Sequence, residues 1–389
     1  MKLLVLLPRV PYPLEKGDKL RAFYQIKELS KYHDIYLVAL QDSPLHPDAL
    51  EKIEPYCKEI HLFRLSLLGK TFGIIRALLK GLPLQCGYFY SGRAKQKIQQ
   101  LIHDIYPDHI YCFMIRVAEY VKKYKYCHKT LDYQDVLSIG MKRRSEKAKF
   151  WKKPVFQYEY RALRRYEKKI FTHFTNKTII TNIDRDLVSH PQKQYIHVIP
   201  NGIDFEKFAY KRVAKKYDLI FAGNMSYSPN VDAALFLAKN IFPKMLVKFS
   251  GLKLCICGTN PAPAIKALAC ENITVTGWVD DMAEYYAQSK IFIAPMRLGT
   301  GLQNKLLEAM AMKLPCVASS LAGKPLEGAV HNQELMICDK EEDYVENIFN
   351  ILNNKQLYKT IAENGYQFVK ANYDWEEIGK MLEEVMNED

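Results

Sequence analysis

The 389-residue sequence contains no uninterrupted apolar run of the ~20 residues that a membrane-spanning helix requires, so nothing in its pattern crosses a bilayer. It has no low-complexity tract, no repeat period and no polar tail, and is expected to fold throughout. The opening segment, MKLLVLLPRVPYP, breaks its apolar run at Pro8 and Pro11 and offers no small-residue cleavage site; it reads as a first strand rather than a signal peptide. A disulfide framework is also missing, because the nine cysteines are odd in number and irregularly spaced, which suits reduced thiols and a cytoplasmic location. The close pair Cys255 and Cys257, in KLCICG, has no second pair or histidine nearby to complete a metal site. Period-two spacing turns both to one face of a strand, as core thiols. None of the usual metal-ligand clusters appears.

What is present is globular: 48% hydrophobic and 25% charged residues, in a chain long enough for two domains. A formal net charge of +13 implies an anionic partner, whether nucleotide, lipid head group or nucleic acid. Basic residues crowd between Lys142 and Lys169, and LSLLGKTFGIIRALLKG, from Leu65 to Gly81, is a basic amphipathic stretch. Both suit either an anionic membrane or an ordinary packed or solvated helix.

The first half alternates apolar strands (KLLVLLP, DIYLVAL, EIHLFRL, HIYCF, KTLDY, KTIITN) with amphipathic segments, including a helix through Ala22 to Lys31. The second half repeats that grammar with YDLIFAGN, KLCICGTN, ITVTGWV, KIFIAP, PCVAS and ELMIC. Such alternation predicts α/β architecture with two doubly wound, Rossmann-like domains. Pro200, Asn201 and Gly202, in HVIPNGIDFEKF, punctuate the chain between them. The expected division is 1–199 and 200–372, with a last helix over 373–389 that repeats Trp375, Ile378, Leu382 and Val385 at helical spacing and packs back on the first domain. Ligands of open parallel sheets bind at the strands' carboxyl ends, so two such domains facing across a cleft would supply two half-sites.

The richest run is IFIAPMRLGTGLQNKLLEAMAMKLPCVAS, from Ile291 to Ser319: strand, glycine loop, helix, turn, strand. Gly299 and Gly301 let backbone approach a ligand, and the helix start offers free N–H groups to an anion. Arg297 and Lys305 stand on either side to hold a phosphate. Glu308, one turn beyond Lys305 on a helix apolar nearly all round, needs a partner and is placed to accept hydrogen bonds from a ribose diol. A dinucleotide site is excluded: Asn304 takes the third glycine's place in GxGxxG, and PCVAS ends without the ribose-holding acid. No cofactor is expected.

This run resembles the donor-binding signature of the large retaining, GT-B glycosyltransferase family often called family four, and the whole layout is similar to it. HVIPNGIDFEKF resembles the family's interdomain linker, YDLIFAGNMSYSPN its first C-terminal strand and loop, and ITVTGWVDDMAEYYAQS its base-binding strand and helix. The N-terminal PRVPYPLEKGDKLRAFYQIKELS resembles bacterial sugar transferases of exopolysaccharide or surface-glycan loci. The resemblance makes Glu308 the second glutamate of a paired-glutamate motif, the one that holds ribose. Thr300 stands where the first glutamate would be, so donor-sugar contacts fall to the backbone amides of Thr300, Gly301, Leu302 and Gln303 or to groups elsewhere. The family's arginine and lysine after its first C-terminal strand have no match at Gly223 and Asn224, and Arg297 and Lys305 stand in for them. Val279 resembles the residue whose backbone meets the base. Gly17 and Asp18, within Lys16–Lys19, resemble the loop closing over donor phosphate, and Asp135, in LDYQDVLS, matches the position touching the reacting sugar.

The resemblance therefore implies a transferase that takes a sugar from a UDP- or GDP-sugar, with retention, to a glycan or lipid-linked acceptor. A diphosphate is already a good leaving group, so a metal-independent reaction is expected; the basic stretches leave peripheral contact at the inner membrane open beside ordinary packing, and no nucleic-acid partner is expected. The rival readings are a GT-B epimerase and a non-catalytic nucleotide-sugar-binding subunit.

Overall fold

The computed structural model describes residues 1–299 and 301–388 and resolves them into two compact units. The N-terminal unit comprises Met1–Pro200 with the segment from Trp375 onward, and the C-terminal unit comprises Asn201–Asp374.

The N-terminal unit is built on a seven-stranded parallel sheet, order β3-β2-β1-β4-β5-β6-β7. Its strands are β1 (Lys2–Leu7), β2 (Asp34–Gln41), β3 (Glu59–Arg64), β4 (His109–Phe113), β5 (His128–Asp132), β6 (Asn176–Ile179) and β7 (His197–Val198). A parallel strand covered on both faces reads as a continuous apolar run, as KLLVLL does. Alternate residues serve opposite cores: Leu4, Leu6, Val38 and Leu40 face one way, Leu3, Val5, Leu37 and Ala39 the other.

The second of these faces is covered by helices α1 (Gly17–Leu29) and α6 (Trp375–Asn387). Tyr24 stacks on Trp375 at 5.0 Å between ring centroids, and Gly379 lets α6 sit against Glu28, where an added Cβ would meet that side chain at 2.5 Å. His33 and Glu383 pair across the same seam, and the amide of Asn176 donates to the Val385 carbonyl at 2.6 Å. Two further helices matter below: α2 (Leu67–Leu79) and α3 (Lys153–Ile170).

The C-terminal unit carries a six-stranded parallel sheet, order β10-β9-β8-β11-β12-β13. Its strands are β8 (Tyr217–Ala222), β9 (Leu254–Cys257), β10 (Ile273–Val275), β11 (Ser289–Ala294), β12 (Cys316–Ala318) and β13 (Met336–Ile337). Helix α4 (Ser228–Phe236) follows β8, and α5 (Asn304–Ala311) follows β11. Cys255 and Cys257 are fully buried in this unit's core. The chain is thus α/β, with two doubly wound Rossmann-like domains.

Two local readings need correction. HVIPNGIDFEKF is not linker throughout, since His197 and Val198 form the edge strand β7 on β6. Helix α1 begins at Gly17 rather than Ala22, so Gly17, Asp18 and Lys19 lie in its first turn.

Candidate functional site

In each sheet the strand order reverses beside the first strand, between β1 and β4 and between β8 and β11. A crevice opens outside the carboxyl ends at such a point, where neighbouring connections leave in opposite directions. In the C-terminal unit the residues that follow β8 and β11 there are Gly223, Asn224, Met296 and Arg297.

The floor of this crevice is set by close backbone contact. Gly223 has φ +152° and Gly258 +145°; a Cβ on Gly258 would lie 1.7 Å from the Gly223 carbonyl oxygen, and one on Gly223 would meet the Asn230 amide at 2.7 Å. Only glycine lets the ends of β8 and β9 meet so closely. Gly258→Ala is expected to destabilise the C-terminal unit by roughly 2–4 kcal/mol, through overpacking and backbone strain together, as read from urea unfolding.

Helix α5 enters the same region, its Gln303 cap making no side-chain capping bond; the Leu306 amide donates to the Gln303 carbonyl at 2.8 Å, and the Asn304 and Lys305 amides have no hydrogen-bond partner among the described residues. Gln303 instead donates to the Gly301 carbonyl at 2.9 Å, and Gly299 takes the left-handed φ of +92° against Pro229. Thr300 lies outside the described residues. Asn201 reaches the helix start, its amide donating to Asn304 Oδ1 at 3.1 Å.

Lys305 extends from the first turn of α5 over the Phe221 ring, 4.7 Å from its centroid, and donates to Asn230 Oδ1 at 2.7 Å. No carboxylate forms an ion pair with it among the described residues. Solvent reaches part of the residue, but the atoms packed about the ammonium desolvate it and lower its pKa to about 7, with Glu308 opposing the shift. A lysine so placed regains its charge when an anion arrives.

Glu308 accepts a hydrogen bond at 2.9 Å from the hydroxyl of Tyr286, itself fully buried. Desolvation raises its carboxyl above the usual range, and Tyr286, Lys207 and Lys305 oppose the rise. One oxygen is thereby fixed, and the other has no hydrogen-bond partner among the described residues.

Arg297 is engaged within its own unit. Its Nε and Nη2 donate to both oxygens of Asp232, at 3.0 and 2.7 Å, and its guanidinium lies 4.4 Å from the Phe236 ring centroid. Its fork is therefore occupied by α4. Val279 and Leu302 are partly buried against the unit's core. Asn224 accepts from Ser226 and offers its carbonyl to the Asn230 amide at 3.0 Å, tying the β8 loop to the residue that holds Lys305. Sequence reasoning did not find Asn230, Tyr286 or Asp232, which approach only through folding.

At the corresponding ends of the N-terminal strands, Asp18 pairs with Arg9 at 3.2 Å, and Arg9 also binds Asp42. Gly17 is exposed with open space about it. Asp135 is exposed as a residue, but the atoms packed about its carboxyl desolvate it and, with the nearby carboxylate of Asp184, raise its pKa to about 6, with Arg116 opposing the shift. The helix that follows is held by Glu167, whose carboxylate accepts from the Ser138 amide at 2.9 Å and its hydroxyl at 2.6 Å while burial pushes its pKa to about 7.

Beneath these residues lies a buried network that the sequence did not reveal. Asp132, at the end of β5, accepts from Arg21, Gln25 and Tyr111 at 2.8, 3.1 and 2.8 Å, and from the backbone of Gln134 at 2.7 Å. Gln134 has φ +64° and Met114, at the end of β4, +68°. Non-glycine residues in that region are strained and held by their surroundings.

Residues 216–354 match the family described as glycosyl transferases group 1. A Klebsiella pneumoniae protein called an uncharacterized 44.6 kDa protein in the cps region is 22% identical over 97% of both chains. The Staphylococcus aureus capsular polysaccharide biosynthesis glycosyltransferase CapM is 23% identical over 48% of this chain and 54% of its own. Among solved structures, Anabaena HepE in complex with UDP and glucose covers 99% of both chains at a TM-score of 0.69 and 14% identity, which shows a shared GT-B fold. By its group 1 domain the chain is a glycosyltransferase.

Proposed function

With its C-terminal unit carrying a glycosyltransferase group 1 domain, we propose that this protein transfers a sugar from a UDP- or GDP-sugar to a glycan or lipid-linked acceptor, with retention at the anomeric carbon, in bacterial capsule or surface-polysaccharide synthesis. It would work in the cytoplasm, at the inner face of the membrane. The observation that carries this reading is the grouping at α5: an open helix N-terminus, a desolvated lysine with no carboxylate partner, and a glutamate with one oxygen fixed. These suit a diphosphate and a ribose. The cps-region relative and CapM support the polysaccharide setting, and HepE makes UDP the nucleotide to try first.

A nucleoside diphosphate is already a good leaving group, so its departure requires stabilisation of developing charge more than a general acid. The α5 dipole and the Lys305 ammonium supply it, acting near fixed groups that need no reorganisation. Arg297 joins only by exchanging Asp232 for phosphate. Glu308 holds the ribose, the backbone around Val279 meets the base, and Gly301, Leu302 and Gln303 stand beside the donor sugar. For the N-terminal unit the family resemblance assigns Gly17 and Asp18 to the donor phosphate and Asp135 to the reacting sugar.

Ligand binding to the folded state raises its stability, so a thermal-shift screen of UDP, GDP, ADP and their sugars tests the reading directly. A shift specific to one nucleotide, absent in Glu308→Ala, is expected; no shift with any nucleotide overturns the proposal. Binding should also weaken above about pH 7, where Lys305 is losing its proton. Because diphosphate favours the charged lysine, binding takes up a proton there, and affinity falls by up to roughly tenfold per pH unit. For the free protein the sign is opposite: the unfolded lysine keeps its proton up to a higher pH, so this group's contribution to stability rises from about pH 7 toward 10.5. Calorimetric titration of wild type and Lys305→Gln across that range checks both statements.

A further inference from the structure

Helix α2 is amphipathic in the unexpected sense. Its buried residues are Gly73 and Ala77, and it docks through them on the short helix Leu84–Tyr88, so closely that a Cβ on Gly73 would lie 2.1 Å from the Gly87 carbonyl oxygen. The bulky residues point outward: Leu67, Leu68, Phe72 and Leu79 are 79, 73, 70 and 82% exposed. A helix that packed in the ordinary way would bury these and expose the small ones. Isolated exposed leucines are commonplace, but a contiguous apolar face marks an interaction surface.

A second apolar tip stands nearby. Phe150 and Trp151, just ahead of α3, and Val155, in its first turn, are exposed, with exposed Lys149, Lys152 and Lys153 among them. The two tips belong to one body: Glu159 of α3 accepts from the Leu84 and Gln85 amides at 2.7 and 3.1 Å, and the Tyr158 hydroxyl donates to Leu82 at 3.2 Å. Further along α3 the same stripe becomes cationic. Tyr158, Arg161, Arg164, Arg165, Lys168 and Ser189 line an open groove of about 710 Å³. Arg161, Arg165 and Lys168 make no ion pair among the described residues, and Arg164 donates only to Ser189. No acidic residue occurs between Glu59 and Asp104, while Lys70, Arg76 and Lys80 lie on or beside α2.

We propose that this face of the N-terminal unit docks on a bilayer of anionic phospholipids, with the outer residues of α2 and the Phe150–Trp151 tip in the interfacial layer and the α3 groove on lipid phosphates. An interfacial helix needs an apolar face beside cations, and anionic lipid matches both in charge and polarity. A free polyanion would engage the arginines but leave Leu67, Leu68, Phe72, Ile75, Leu78 and Leu79 of α2 in water. A second copy would bring groove against groove, like charge on like. The inference deepens the membrane setting of the proposed function and uses no residue of the donor site.

The test is co-sedimentation of the full chain with vesicles of phosphatidylcholine alone or with roughly a third phosphatidylglycerol, at low and high salt. Binding to anionic vesicles that weakens with salt is expected, with a blue shift of tryptophan emission that Trp151→Phe removes. Leu68→Ser with Phe72→Ser, and separately Arg161→Glu with Arg165→Glu, should each lower partitioning at least roughly tenfold at low salt. All four positions are exposed, so both variants should keep the wild-type UDP thermal shift; loss of vesicle binding with that shift intact separates this inference from the donor-site reading. Absence of binding to anionic vesicles at low salt overturns the proposal, as does equal binding to both vesicle types or wild-type binding by the variants. Vesicle-free self-association that Phe72→Ser abolishes would assign the face to a second copy and also overturn it.

Discussion

Replacing Lys305 by alanine is expected to lower kcat/KM for sugar transfer by roughly 10²–10³-fold, the range seen when one preorganised charge-stabilising donor is removed from a reacting centre. The ammonium sits over Phe221 and on the amide oxygen of Asn230, with no ion-paired carboxylate among the described residues. The loss should appear in KM, because the charged lysine also binds the ground-state diphosphate, and in kcat, because the diphosphate gains further charge as the sugar departs. Lys305→Arg should recover little: the guanidinium is longer and planar, and Asn230 offers one oxygen at a fixed distance. Glu308→Gln gives a contrasting pattern, since Tyr286 can still donate to the amide oxygen while the ribose loses a charged acceptor. A rise in KM of roughly 10–100-fold with a smaller change in kcat is expected there, corresponding to about 1.5–3 kcal/mol for that bond. Steady-state kinetics of the three variants with one donor would check all of this; equal activity of Lys305→Ala and wild type would remove the lysine from the mechanism.

The second large effect concerns stability. Asp132→Ala should destabilise the N-terminal unit by about 3–5 kcal/mol, because Arg21 is left as a buried charge without its carboxylate. Gln25, Tyr111 and the Gln134 amide lose the same acceptor, and the left-handed turn at Gln134 loses its anchor. For a unit of this size the transition should fall by roughly 10 °C. Arg21→Met with Asp132→Leu should recover much of the loss, since replacing both charges leaves no uncompensated one. A double variant less stable than either single would show that the network contributes more than charge balance. The Arg21 guanidinium also donates to the Pro200 carbonyl at 3.0 Å, so the single variants should loosen the chain where it leaves this unit.

The fold was legible because buried parallel strands announce themselves: KLLVLL, DIYLVAL and KIFIAP are apolar runs too short for helices, separated by amphipathic stretches. A strand of two residues carries no such signal, which is why β7 disappeared into the linker. The start of α1 was misread because glycine and charge look like a loop, whereas a helix's first turn tolerates both. The glycine loop and α5 could be read because their chemistry is local. Their partners could not. Asn230 meets Lys305, and Asp232 meets Arg297, only once β8 and β11 lie side by side. Arg21 and Asp132 were invisible for the same reason: an arginine on an amphipathic helix reads as solvated until a distant strand supplies its counter-charge.

The return of α6 to the first sheet has a consequence for biosynthesis. Trp375, Ile378, Leu382 and Val385 complete the apolar core on the α1 face, yet they are translated after the entire second unit. At ~5–20 residues per second, a nascent chain would carry that uncovered hydrophobic seam on the ribosome for on the order of ten seconds or longer. The first domain to emerge is thus the last to be finished. The second domain can complete its core first although it is made later.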